Sequence, residues 1–296
     1  MLDWLIDPLK LDFMRSAILI GILMGILCAV VGSYMVVQQM GMMAHAISHS
    51  ILAGLPIAFV MGISLSVGAF VAGVVSALGL AWIQSQSRIK LDTAMALILS
   101  DFTAIGVTLL SVLPGANKLD LMDILFGNIL GISQGDLIMT LAITIAVVIV
   151  VKLFYKELLF YTFDPLGAQA DGLPVRWYHL GLIVAMTLTV VASLQTVGAL
   201  LVIAMLVAPA STAYLLVREL HLMMILGSVI GVSGSVIGMY LSYHLDAPSG
   251  ATIVLVVCGF FLLAFLLSPS QGLLTRPEVK EPTVRFFQRM INLQRQ

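Results

Sequence analysis

YHLGLIVAMTLTVVASLQTVGALLVIAMLVAPASTAYLLV, residues 178–217, runs without a single Asp, Glu, Lys or Arg. A helix needs about 20 apolar residues to cross the hydrocarbon core of a bilayer. This run is therefore two crossings, and it must break near Ser193–Thr196. Apolar runs of one crossing each cover residues 16–37, 43–62, 64–84, 92–113, 135–154, 222–243 and 249–268. With 178–194 and 197–217 they make nine spans, eight being the alternative. Leu121 to Ile132 is too short to cross and reads as a re-entrant or broken half-helix.

Composition agrees. The chain is 60% hydrophobic and 10% charged, with a mean hydropathy of +1.11, where a soluble domain carries about 25% charged residues. The fold class is all-α, a polytopic membrane helical bundle of eight or nine transmembrane helices. A net charge of −1 argues against a nucleic-acid partner. Cys28 and Cys258 both lie in apolar spans, so they make neither a disulfide framework nor a metal cage.

The N-terminal stretch carries Asp3, Asp7 and Asp12 where a cleavable signal would be basic. Leu2, Leu5, Ile6, Leu9 and Phe13 line one helical face there, with Asp3, Asp7 and Lys10 opposite, which suits a helix lying in the membrane interface. Three parts follow: an interfacial amphipathic helix over 1–14, a transmembrane domain over 15–270 and a C-terminal tail over 271–296.

Lys and Arg set the orientation. Placing Arg88 and Lys90 inside also brings Lys152, Lys156, Arg176, Arg218, Arg276, Lys280, Arg285, Arg289 and Arg295 inside, and leaves Lys10, Arg15 and Lys118 outside. The C-terminus is then cytoplasmic and, with nine spans, the N-terminus external. Gly21/Gly25, Gly227/Gly231 and Gly234/Gly238 recur at four-residue spacing, a signal for close helix packing in lipid.

Two of the five histidines, His45 and His49, stand one turn apart in the apolar stretch from Met40 to Ile63. Ionisable groups at such depth face a cavity or line a pathway. The i, i+4 spacing puts both rings on one helix face within reach of a single transition-metal ion. The competing account has them hydrogen-bonding between packed helices. Asp101 is a second intramembrane ionisable group, nine residues past Asp92 and so about 13 Å along its helix. It reads either as a pathway carboxylate or as a protonated, hydrogen-bonded structural acid. His244 and Asp246 fall in a short loop before the last span, and Pro248 to Gly250 suit a solvated turn there.

Between the fifth and sixth spans, Asp164 followed by Pro165 is a helix start, with Asp at N-cap and Pro at N1. Gly172 and Pro174 form the stop. The spacing predicts a helix of about two turns, too short to span.

Five stretches fall in one order along nearly the whole chain: Gly41-Met-Met-Ala-His-Ala-Ile-Ser-His-Ser-Ile-Leu-Ala-Gly54; Leu125-Phe-Gly-Asn-Ile-Leu130; Phe163-Asp-Pro165 with Gly172-Leu173; Val197-Gly-Ala-Leu-Leu201 with Ala208-Pro-Ala210; and Leu241-Ser-Tyr-His-Leu-Asp-Ala-Pro-Ser-Gly250. In these the chain resembles the permease subunit of the metal-type ABC importers, the family that carries manganese, zinc or iron. The resemblance implies a multi-pass protein of the inner (plasma) membrane that pairs with a second copy of itself. It also implies an ATP-binding subunit that hydrolyses ATP, and an extracytoplasmic metal-binding protein that delivers the cargo. No permanently bound cofactor is implied, only the transported divalent ion. Phe163, Asp164, Pro165, Ala168 and Gly172 would form the cytoplasmic coupling helix.

Two positions depart from the family pattern. His45 stands where the family has Asp, while Ser48 and His49 match. Imidazole softens the site toward zinc, iron, copper or nickel, whereas carboxylate oxygens suit manganese. The Ala-Ile-Ser-His run resembles the manganese members, so manganese is the favoured cargo. Asp101 stands where the family has a small or uncharged residue, and it is the candidate for the oxygen ligand that His45 displaces.

No phosphate-binding Gly-rich loop with Lys is present, nor His-Glu-x-x-His, so no enzyme site is visible. The alternatives are an ion-coupled secondary transporter, a vitamin or siderophore permease of a related ABC class, and an intramembrane metalloenzyme. The first would show an internal repeat, and none is apparent. The last would need a third ligand and a base, with only Asp101 on offer.

Overall fold

The computed structural model describes residues 10–115 and 133–268. The expectations for residues 1–9, for the half-helix at 121–132 and for the tail at 271–296 lie outside the described residues. The helices are α1 (Asp12–Val37), α2 (Gly41–Met61), α3 (Leu65–Gln86), α4 (Leu91–Val112), α5 (Gln134–Leu153), α6 (Tyr155–Phe163), α7 (Pro165–Ala170), α8 (Val175–Val197), α9 (Ala199–Leu216), α10 (Leu220–Leu245) and α11 (Ser249–Leu267). Among the described residues, nine are long and apolar enough to cross a membrane, all except α6 and α7. Their bounds follow the apolar runs of the sequence.

Two differences have local causes. The break in the 178–217 run falls at Gly198, slightly beyond Ser193–Thr196. Gly198 has φ 82° and ψ 161°, a region that in practice only glycine enters. Ser193 and Thr196 instead stay helical, their hydroxyls donating to the Thr189 and Ser193 carbonyls. At the other end, α1 begins at Asp12, so residues 12–14 of the expected interfacial segment form its first turn, with Met14 buried.

Successive spans alternate in direction. Arg88, Lys90, Lys152, Lys156, Arg176 and Arg218 therefore share one end of the bundle, and Lys10 and Arg15 lie at the other. A hydrogen bond of 3.2 Å from Gln38 Nε2 to Thr162 Oγ1 ties the α1–α2 turn to α6 at that basic end.

α1 is the hub. It packs against α10, α9, α5 and α8, and its side chains from Met24 to Met35 are almost wholly buried. The glycine spacing decides how close these helices come. A Cβ on Gly25 would lie 2.6 Å from the Val232 backbone nitrogen, and one on Gly21 would meet Ser235. Gly234 and Gly238 serve a different contact, against Val257 and Ile253 of α11. A second group is formed by α2, α3 and α4, where a Cβ on Gly106 would lie 2.7 Å from the Leu52 carbonyl carbon. Helix α8 bridges the groups, touching α2, α3, α5 and α9.

Candidate functional site

The chain enters α2 through a tight turn in which Gln39 takes φ 58°. His45 is four residues into the helix and His49 eight, so they stand about 6 and 12 Å from its basic end. Both fall in the half of the bilayer nearest the basic residues. Their ring centroids are 4.6 Å apart with planes at 65°, and both side chains are half-buried. His49 Nδ1 is buried with no hydrogen-bond partner. An imidazole nitrogen buried and unpaired costs free energy unless something binds there. The neighbouring hydroxyls do not take that role. Ser48 donates to the Ala44 carbonyl at 2.8 Å and Ser50 to Ala46 at 2.7 Å.

Asp101 sits ten residues into α4, close to the middle of that span, and is exposed on the surface of the chain. It is five residues before Gly106, which lies against Leu52 and Ala53 of α2. Five residues are about 140° of helical rotation. Asp101 thus points away from α2, whereas the histidines are on α2 itself. Among the described residues no third His, Cys, Asp or Glu joins a group that could hold a metal. The structure brings His45 and His49 together and does not bring Asp101 to them within one chain.

The segment after the fifth span is two helices. The sequence reading covered only the second. Asp164 Oδ1 accepts from the Gly167 backbone N–H at 2.8 Å, with Pro165 in the first turn, as the Asp-Pro pair predicts. Gly172 takes φ 87° and ends the unit. Gly167 has no room for a side chain, because a Cβ there would collide with the capping carboxylate. Ala168 is fully buried, so it anchors the unit rather than presenting a contact. The large apolar side chains offered outward are Phe163, 60% exposed, and Leu166, 79% exposed.

Helix α6 continues the unit inward. Tyr161 Oη and His179 Nδ1 share a hydrogen bond of 2.7 Å, joining α6 to the start of α8. Burial pushes the Tyr161 phenol above its ordinary value and keeps it neutral. Sequence reasoning missed this pair. The only trace was a His at a span end following a Tyr eighteen residues earlier, and nothing local connects them. His221, also at a span end, pairs with Glu219 at 3.3 Å. At the opposite end, Asp246 takes φ 49° in the α10–α11 turn, where Ser242 Oγ donates to the Ala247 carbonyl at 2.6 Å.

Known proteins resemble this chain over most of its length. The model of the ABC 3 transport family matches residues 10–268. A manganese transport system membrane protein, MntC of Halalkalibacterium halodurans, is 42% identical over 90% of this chain and 91% of its own. A probable iron transport system membrane protein of Haemophilus influenzae is 38% identical over 90% of this chain and 98% of its own. Among solved structures, PsaBC from Streptococcus pneumoniae in complex with Fab superposes with a TM-score of 0.82. It is 37% identical and covers 92% of this chain and 98% of that one.

Proposed function

The chain belongs to the ABC 3 transport family and is the membrane-spanning permease subunit of a metal importer; from that premise we propose which parts of it carry the metal and which carry the drive. The partners are an ATP-binding subunit and a solute-binding protein. ATP hydrolysis resides in the former, this chain supplies no catalytic group, and the metal is cargo rather than a resident cofactor. Manganese is the favoured cargo, since relatives named for manganese are among the most similar.

The positive-inside rule makes the basic end cytoplasmic. The α6–α7 unit then faces the ATP-binding subunit, with Phe163 and Leu166 as its outward contacts and Asp164, Pro165, Ala168 and Gly172 as its frame. His45 and His49 form the metal-contacting pair, in the cytoplasmic half of the membrane. The observation carrying this assignment is the 4.6 Å ring separation together with the unpartnered His49 Nδ1. Two imidazoles leave the coordination sphere open, so water or the second copy completes it. An open, weak site suits passage, which requires release as well as binding.

Asp101 acts apart from the pair. A carboxylate at mid-membrane is not left against lipid, so its face of α4 is covered by the second copy or by the aqueous pathway between the copies. The test is metal uptake into reconstituted vesicles holding the chain, its ATP-binding subunit and its binding protein. Uptake of manganese that depends on ATP and is lost in His49→Ala supports the reading. Uptake unchanged in His49→Ala removes the pair from the pathway.

A further inference from the structure

A groove of about 1110 Å³ runs along the outer surface of the bundle between α5 and α10, with α1 as its floor. The floor is Ile26 and Val30, and the walls include Val148, Val151, Val229 and Ile237. Along α10 it extends from His221 to Ile237, sixteen residues or about 24 Å of helix. That is more than half of the ~30 Å hydrocarbon core. Its basic side chains stand at one end only. There Lys152, Tyr155 and His221 close it, at the basic end of the bundle. Tyr155 and His221 also line an adjoining hollow that adds Lys156 and Arg218. Among the described residues Glu219 is the single carboxylate lining either space, and it is engaged with His221 at 3.3 Å.

An apolar trough of that length, with three basic side chains at one end, matches one kind of molecule. We propose that this groove is a binding site for an anionic phospholipid, with an acyl chain along Val30, Val229 and Ile237 and the phosphate at Lys152, Lys156 and Arg218. Basic hollows between membrane helices recognise anionic headgroups in this way. Tyr155 stands in the lining as a further hydroxyl, whereas the Ser228 hydroxyl donates to the Met224 carbonyl at 2.8 Å. A second copy of the chain fits poorly. A two-fold contact sets a patch against itself, and here that would oppose one hollow to another and the cations to their own images.

The test uses the full chain with its ATP-binding subunit in nanodiscs of equal phosphatidylglycerol and phosphatidylcholine, followed by native mass spectrometry of the lipid retained on release. Phosphatidylglycerol is expected to be retained in preference. Lys152→Gln should lower that retention about fivefold, the weight of one positive charge at a membrane surface. Val229→Trp, which fills the trough, should lower retention of both lipids. Equal retention of the two lipids by the wild type overturns the proposal, and so does unchanged phosphatidylglycerol retention in Lys152→Gln. Lys152 is exposed, so that arm stands even if Val229→Trp fails to fold. Disulfide crosslinking between copies through Val229→Cys would show a second copy in the groove and overturn it as well.

Discussion

Tyr161 Oη lies 2.7 Å from His179 Nδ1, so a side-chain hydrogen bond ties helix α6 at the basic end to the membrane helix α8. Helix α8 in turn touches α2, the helix of His45 and His49. The hydrogen bond therefore connects the α6–α7 unit, through α8, to the histidine helix. Tyr161→Phe removes the hydroxyl and should cost about 1 kcal/mol of stability. If the link carries motion, ATP hydrolysis should continue while metal moved per ATP falls. An unchanged ratio of transport to hydrolysis would show a purely structural bond. Because burial raises the phenol's pKa, this stabilisation is present below the ordinary value of about 10 and is lost as pH rises beyond it. The melting difference between wild type and Tyr161→Phe should accordingly shrink in strong alkali.

The histidine pair predicts non-additivity. If His45 and His49 share an ion, either Ala substitution should impair uptake nearly as much as the double, because one imidazole holds the metal poorly. Independent roles would give additive losses. His45→Asp restores an oxygen donor and should keep transport while shifting preference toward manganese over zinc. Competition uptake with both metals reads this directly. An unchanged preference, with full activity in His49→Ala, would sink the shared site.

Asp101→Asn keeps shape and removes charge. If the carboxylate faces the pathway, uptake should fall strongly with expression and melting intact. If it is a protonated structural acid, Asn replaces much of its hydrogen bonding and transport persists. Since Asp101 points away from α2, its substitution should leave the manganese-to-zinc preference as it was. A changed preference would mean that the second copy brings it to the histidines.

The drive surface predicts a division between Leu166 and Ala168. Leu166→Asp changes an exposed side chain and should weaken association with the ATP-binding subunit while the membrane helices melt as before. Ala168→Glu forces a long acid into a fully buried position and should destabilise the α6–α7 unit itself. Gly172→Trp should do likewise, through strain at φ 87° rather than through crowding. Co-purification of the two subunits, read beside thermal melting, separates these cases. Normal recovery and uptake in Leu166→Asp would remove this surface from the contact.

Gly106→Leu tests the packing that sets α2 against α4. A side chain there meets the Leu52 backbone, which cannot give way as a side chain can. Overpacking of this kind costs about 1–3 kcal/mol and should impair transport through a displaced α2. A variant with wild-type melting and uptake would show that the two helices have slack.

The approximate course of the spans, the basic end, the Asp164 cap with its Gly172 stop, and the shared face of His45 and His49 were legible in the chain. Each depends on residues within a few positions of one another, through hydropathy over one crossing, a cap, or the 3.6-residue turn. The tertiary structure decided the rest. Gly106 against Leu52 sets the rotation of α4 and so turns Asp101 away from the histidines, although the three residues read alike as intramembrane ligands. Ala168 is buried within the α6–α7 unit, and Tyr161 meets His179 across the intervening α7. Such pairings depend on how closely two helix backbones approach and how each is rotated. Those quantities come from interlocking small residues on different helices, and no periodicity within a single helix records them.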